Sequence, residues 1–250
     1  MILGYPSHLG WTKTVSANYL AELGASNQKR LRAMLKHLQI ADITHTIEPL
    51  TEELVAWFTP LYQETIGEKE NAHVFNIRET TLDKKGVDYF MLRIFENGTP
   101  LGATIFSKRT SSLSVAYRVF QTSWNTHDFA AGPTLYAEYL TVQHAYESGY
   151  TKLSHGRDRN PYGLNAAIGL ASFKLSFGCV PLAAKSATTE TLDTDALETD
   201  ILVVVPVSEG NTQLKGILLT TRENEQKYLQ VTKYPDALPV TVVYREQKAG

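Results

Sequence analysis

The densest group of reactive side chains lies in residues 154–162, SHGRDRNPY. It holds an imidazole at His155, guanidinium groups at Arg157 and Arg159, a carboxylate at Asp158, an amide at Asn160 and a phenol at Tyr162. Such a set can move protons and orient a polar substrate. Gly156 and Gly163 flank it and admit backbone angles closed to other residues. The plainer alternative is a solvated turn with an Arg–Asp pair. A second candidate is Lys174, set among apolar neighbours in FKLSFG, residues 173–178. An ammonium near a reacting carbonyl stabilises developing negative charge. Alternatively its stem covers apolar surface while the charge reaches water. The third candidate is a helix start at Gly132-Pro133-Thr134. Free N–H groups there suit a pyrophosphate or a carbonyl oxygen. An ordinary Pro-started helix is the alternative. A basic stretch, Lys29, Arg30, Arg32 and Lys36, offers phosphate contacts or simply a solvated face.

Several chemistries are missing. The seven histidines show no HxxxH or HExxH spacing, and the single cysteine, Cys179, has no Cys–His group around it, so no metal site is expected. Cys179 reads as a small buried apolar residue. No GxSxG motif is present, which argues against an α/β-hydrolase. With 24 basic and 26 acidic residues the net charge is -2, which removes the case for a bulk nucleic-acid binder. One cysteine allows no intrachain disulfide, which fits a reducing, cytoplasmic setting. The N-terminal residues lack the charged and apolar regions of a signal peptide. The densest apolar run, ILVVVPV at 201–207, falls far short of the ~20 residues of a membrane span.

The elements that must position these groups are readable. Leu31, Met34, Leu35 and Leu38 mark a helix over 26–39, capped by Ser26 or Asn27. A short strand is expected at 43–47. Thr51 caps a second helix with Glu52 and Glu53 in its first turn. Strands at 89–95, 101–107 and 113–120 form an antiparallel meander, the first two joined through Asn97-Gly98. A helix over 134–148 ends at Gly149, a strand covers 150–155, and the polar stretch runs as a loop from 156 to 163. A further helix over 164–177 ends at Gly178. Residues 188–200 carry five acidic side chains and no basic one, which suggests a surface connection. Four strand-like runs follow, at 201–207, 216–221, 228–234 and 240–245. They extend the sheet, form a β appendage or build a homodimer contact.

Residues 137–181 resemble the FemABX-like branch of the GNAT acyltransferase superfamily. The shared pattern is a helix ending "A…G", a strand ending "G", a polar loop, then "GL..FK..FG..P". Here it is carried by Ala145, Gly149, Gly156, Gly163 or Gly169, Leu170, Phe173, Lys174, Phe177, Gly178 and Pro181. The upstream order of two helices and a meander is similar as well. The resemblance implies a mixed α/β, or α+β, GNAT-like fold with a central, mostly antiparallel sheet and helices on both faces. It places a GNAT-like domain at 1–187, with its core at 28–182. The acidic connection and β-rich extension then fill 188–250.

The implied activity is transfer of an acetyl or aminoacyl group from a thioester or ester to an amine. The implied partners are a small acyl donor, acetyl-CoA first, and an amine acceptor. Aminoacyl-tRNA is the less favoured donor, since 250 residues leave no room for a tandem domain and coiled-coil arm. The pyrophosphate loop of CoA-dependent relatives is replaced by Ala131-Gly132-Pro133. By resemblance, Lys174 stabilises the oxyanion, while Asp158, Glu138 or His155 takes the amine's proton. Arg157, Asn160 and Tyr162 bind the acceptor. Tyr117 lies where GNAT strands splay, and Gly132, Thr134 and Phe173 contact the donor. No metal and no membrane partner is implied. The competing expectation is a non-catalytic GNAT-like binding module.

Overall fold

The computed structural model describes residues 2–38, 42–68, 73–121, 132–208 and 212–245. In chain order the elements are β1 (Ile2–Pro6), β2 (His8–Thr14), α1 (Tyr19–Glu22), α2 (Ala25–His37), β3 (Ile43–Pro49), α3 (Glu52–Gly67) and α4 (Ile77–Thr80). There follow β4 (Tyr89–Glu96), β5 (Thr99–Lys108), β6 (Ser112–Phe120), α5 (Pro133–Glu147), β7 (Lys152–Arg159) and α6 (Ile168–Ser176). The remainder is β8 (Val180–Ala183), β9 (Thr189–Asp193), β10 (Ile201–Pro206), β11 (Leu214–Thr220), α7 (Glu225–Tyr228) and β12 (Val240–Tyr244).

The chain forms two compact units. One is continuous, residues 13–154. The other joins residues 1–12 to residues 155–250. The division passes through β2 and β7.

In the continuous unit, β3, β4, β5 and β6 pair antiparallel in sequence order. The β4–β5 turn uses Asn97 and Gly98, both at positive φ, as a tight hairpin turn requires. β6 pairs parallel with the start of β7, from Ser112↔Lys152 to Ser114↔Ser154. The β5–β6 register slips between Ile105 and Phe106, so Tyr117 opposes Ile105 and Val115 opposes Phe106. That bulge sits beside the end of the β6–β7 ladder. Side chains alternate between sheet faces. One face gives Met91, Ile105, Ala103 and Val119 to a core with Leu54, Phe58 and Tyr62 of α3. The other face stacks Phe90 on Phe106, and Phe106 meets His144 of α5 at 5.5 Å. Helices therefore cover both faces of a mixed, mostly antiparallel sheet. Thr51 caps α3, its hydroxyl accepting from Leu54 N at 3.3 Å. Helix α2 begins at Gly24, not at a Ser26 or Asn27 cap, and no side chain caps it. Gln39, in the expected last turn, lies outside the described residues.

In the other unit, β1 pairs antiparallel with β9, and β2 with β8. β10 and β11 are antiparallel, while β11 and β12 are parallel. Tyr5, Val203 and Val205 form a small core with Leu3, Leu192 and Ile217 against it. Three expectations change here. The acidic stretch contains β9, which pairs with the N-terminal strand. The run 228–234 is not a strand: α7 and a 3-10 turn, Leu229–Lys233, occupy it, with Val231 buried. The apolar spacing of Tyr228, Val231 and Tyr234 suits a three-residue repeat as well as a strand. The polar residues 156–159 continue β7.

Candidate functional site

Lys174 and the β7 cluster meet within the unit of residues 1–12 and 155–250. Helix α6 carries Lys174 in its last turn. The side chain is turned inward and the residue is only 6% exposed. Its ammonium donates to Asp158 Oδ1 at 2.7 Å and Oδ2 at 2.8 Å, and to the His155 carbonyl at 2.9 Å. Tyr162 donates its hydroxyl to Asp158 Oδ2 at 2.8 Å. Trp11 Nε1 donates to that hydroxyl, also at 2.8 Å. The Lys174 Nζ lies 5.7 Å from the centre of a Trp11 ring. The result is a buried chain of indole, phenol, carboxylate and ammonium.

Local sequence explains how it forms. Gly156 at φ +76° turns β7 out of regular alternation just before Asp158. Gly163 sits at φ +96°, and a Cβ there would run into the Asp200 carbonyl. Between them Tyr162 bridges Leu202 in both directions, its N–H to Leu202 O at 2.9 Å and its O accepting from Leu202 N at 3.0 Å. Gly178 at φ +78° ends α6 one turn past Lys174.

The electrostatics are those of ions kept from water. Burial lowers the pKa of Lys174, and the paired Asp158 charge opposes that shift. Burial, and then the Asp158 charge, push the Tyr162 phenol well above its ordinary value. Tyr162 is therefore a neutral donor at any physiological pH.

The other β7 residues go elsewhere. Arg157 reaches Ser186 Oγ at 2.8 Å. The Asn160 amide is buried and spent on the backbone: its Nδ2 donates to Pro6 O at 2.9 Å and Val204 O at 2.8 Å, and its Oδ1 accepts from Val204 N. That pattern fastens strands together. His155 is buried, and it enters the cluster through its carbonyl. Phe173 is partly exposed and packs edge-on against Phe177 at 4.6 Å.

Glu138, Tyr117, Gly132 and Thr134 belong to the continuous unit. Glu138 on α5 is fully buried between two cations, Lys13 of β2 and Arg118 of β6. The Arg118 contact is 2.8 Å. Arg118 Nε also donates to Thr104 Oγ1 at 3.0 Å, and Lys13 lies over the Tyr19 ring at 3.8 Å. Tyr117 donates to Thr80 Oγ1 at 2.8 Å and packs edge-on against Tyr62 at 5.3 Å. Burial raises its pKa.

Gly132 caps α5 without a side-chain bond, and Ala131 lies outside the described residues. Pro133 has no N–H, and Leu135 N is already bonded to Gly132 O at 3.0 Å. In the first turn of α5, then, Pro133 offers no donor and Leu135 N is used within the helix. No group of three or more His, Cys, Asp or Glu placed to hold a metal occurs among the described residues. Among them, no helix is long and apolar enough to cross a membrane.

Trp11, Lys13 and Arg118 were not singled out from sequence. Their partners lie 151, 125 and 20 positions away, and each was an unremarked residue in a strand. An arginine inside the strand-like run 113–120, at Arg118, is the available signal.

Solved structures share this architecture. FemX matches with a TM-score of 0.53 at 14% identity, over 75% of this chain and 62% of that chain. A lysyl-phosphatidylglycerol-synthase structure, L-PGS from Bacillus licheniformis, matches with a TM-score of 0.46 at 15% identity, over 76% of this chain and 60% of that chain. A GCN5-related N-acetyltransferase from Anabaena variabilis matches with a TM-score of 0.39 at 13% identity, over 86% of this chain and 54% of that chain. No family model matches the chain, and no curated protein matches it in sequence. The chain shares the fold of FemX, and the match spans less than two thirds of FemX.

Proposed function

We propose that the chain transfers an acyl or aminoacyl group from a thioester or ester to an amine. The observation that carries this reading is Lys174. An ammonium is held inside a FemX-type fold, kept charged by Asp158 and shielded from water by Trp11 and α6. The amine nitrogen bonds to the donor carbonyl carbon and the bond to the carrier breaks. The carrier leaves as a thiol or hydroxyl, and the amine's proton passes to Asp158 or His155. Negative charge on the carbonyl oxygen peaks between these events, and a nearby ammonium in a dry site stabilises it most there. Arg157, at the exposed end of β7, orients the acceptor, with Phe173 on the donor side. The Asn160 and Tyr162 contacts support a positioning role for both.

One observation favours a second reading, a non-catalytic binding module. All three ammonium protons of Lys174 have acceptors inside the unit. In that case the pair is a structural brace. Transfer assays on Lys174→Ala separate the two. A loss of tenfold or more in transfer, with the fold intact, is the scale of one lost oxyanion donor. Unchanged turnover sinks the catalytic role. Acetyl-CoA at a hundred times its Kd would add about 2.7 kcal/mol of stability in a thermal-shift titration. No shift points to an ester-linked donor.

A further inference from the structure

A cavity of about 750 Å³ opens within the unit of residues 1–12 and 155–250, apart from the residues that hold Lys174. Cavities of ~300–1,000 Å³ suit drug-sized molecules. Pro6, Leu182, Pro206 and Leu214 supply its apolar walls, and Thr188 and Thr212 supply hydroxyls. Among the described lining residues there is no Lys, Arg, His, Asp or Glu. Tyr5 is the one lining side chain with an acidic proton, and it donates that proton to Glu190 at 2.9 Å.

The wall is pinned before any ligand arrives. Ala184 N donates to His8 O at 3.0 Å, and Ala187 N to Ala184 O at 2.8 Å. Ser7 Oγ accepts from Thr188 N at 3.0 Å. Arg157 is tied to Ser186, next to the lining residue Ala187. Strand β8 adds a backbone feature. Ala184 pairs through its N–H with His8, so by antiparallel alternation the N–H and C=O of Ala183 point away from β2. Ala183 lines the cavity.

We propose that this cavity binds an uncharged, mainly apolar organic molecule bearing one or two hydrogen-bonding groups. Among the described lining residues an ion would find no charged side chain in return for its lost water, which costs several kcal/mol in an apolar site. A neutral molecule loses little and gains the Leu182, Leu214 and proline surfaces. The Ala183 backbone and the threonine hydroxyls then serve its polar groups. A preformed wall lowers the ordering cost of binding. The site stands independently of the acyl-transfer reading.

N-phenyl-1-naphthylamine, uncharged at neutral pH, is the probe. Its fluorescence should rise saturably with one molecule bound per chain. The anionic analogue 8-anilinonaphthalene-1-sulfonate should bind at least tenfold more weakly. Ala187→Trp and, separately, Ala183→Trp place bulk in the cavity from positions on its wall. At least one should weaken the neutral probe tenfold or more while circular dichroism shows an unchanged fold. Absence of saturable binding overturns the proposal. Equal affinity for the anionic probe overturns it as well, and so does undiminished binding in two folded variants. A second copy of the chain covering the cavity would expel the probe as protein concentration rises, and that result also counts against it.

Discussion

In one unit a single buried lysine meets a single carboxylate. In the other, a single buried carboxylate meets a lysine and an arginine. Lys174 and Asp158 share their surroundings with two neutral donors, Tyr162 and Trp11. Glu138 instead ties three elements, β2, β6 and α5, through two cations. The first arrangement gives the ammonium a carboxylate that also has a neutral partner, and all three of its protons are accepted inside the unit. The second spends each carboxylate oxygen on a cation. Two clusters built from the same residue types therefore carry different loads. Under the acyl-transfer proposal the Asp158–Lys174 pair is the place for chemistry, while Glu138 holds two cations in the other unit.

The comparison breaks most sharply at Glu138. Glu138→Gln leaves two cations buried without their carboxylate, and loss of one partner from a buried pair costs about 3–5 kcal/mol. Asp158→Asn leaves one buried cation instead of two, and that cation keeps the His155 carbonyl, so a cost at the low end of that range, about 3 kcal/mol, is expected. Urea unfolding of the two variants measures both. Equal costs would mean that the clusters do the same job.

Tyr162→Phe tests the neutral side of the first cluster. It removes a donor from Asp158 and an acceptor from Trp11, both buried. A cost of about 1–3 kcal/mol is expected, read by urea unfolding. A cost near zero would show that the indole and phenol merely fill space.

The smallest effect concerns Tyr5, which gives its proton to Glu190. Burial, and then the Glu190 bond, push its phenol up from 10.0 to about 12. The folded protein keeps this proton where the unfolded chain has lost it. The contribution is whole below pH 10 and fades as pH rises through 12, so stability falls across that window. Tyr5→Phe should flatten that fall. An identical slope in the variant removes Tyr5 from the account.

Much of this was legible in the chain. The meander could be read because Asn97-Gly98 is a strong turn signal and the flanking runs alternate. Thr51 and Gly149 announced helix ends by local chemistry. Lys174 stood out as a charge among apolar neighbours, and Asp158 as part of a polar run. Strands β1 and β2 were not read, because Gly4, Pro6 and Gly10 interrupt their pattern and their partners lie far along the chain. The role of Asn160 was hidden for the same reason: its amide is spent on Pro6 and Val204, neither near it in sequence. Periodicity reports what a segment buries and says little about which distant segment buries it.

The split composition of the first unit sets an order in time. Tyr5 and Glu190 are 185 positions apart, and the Ile2↔Asp193 pairing spans still more chain. A ribosome adding about 5–20 residues per second needs roughly 10–40 s to cover that interval. Residues 13–154 are complete well before it closes. The β1–β9 pairing therefore closes only after all of residues 13–154 have been made.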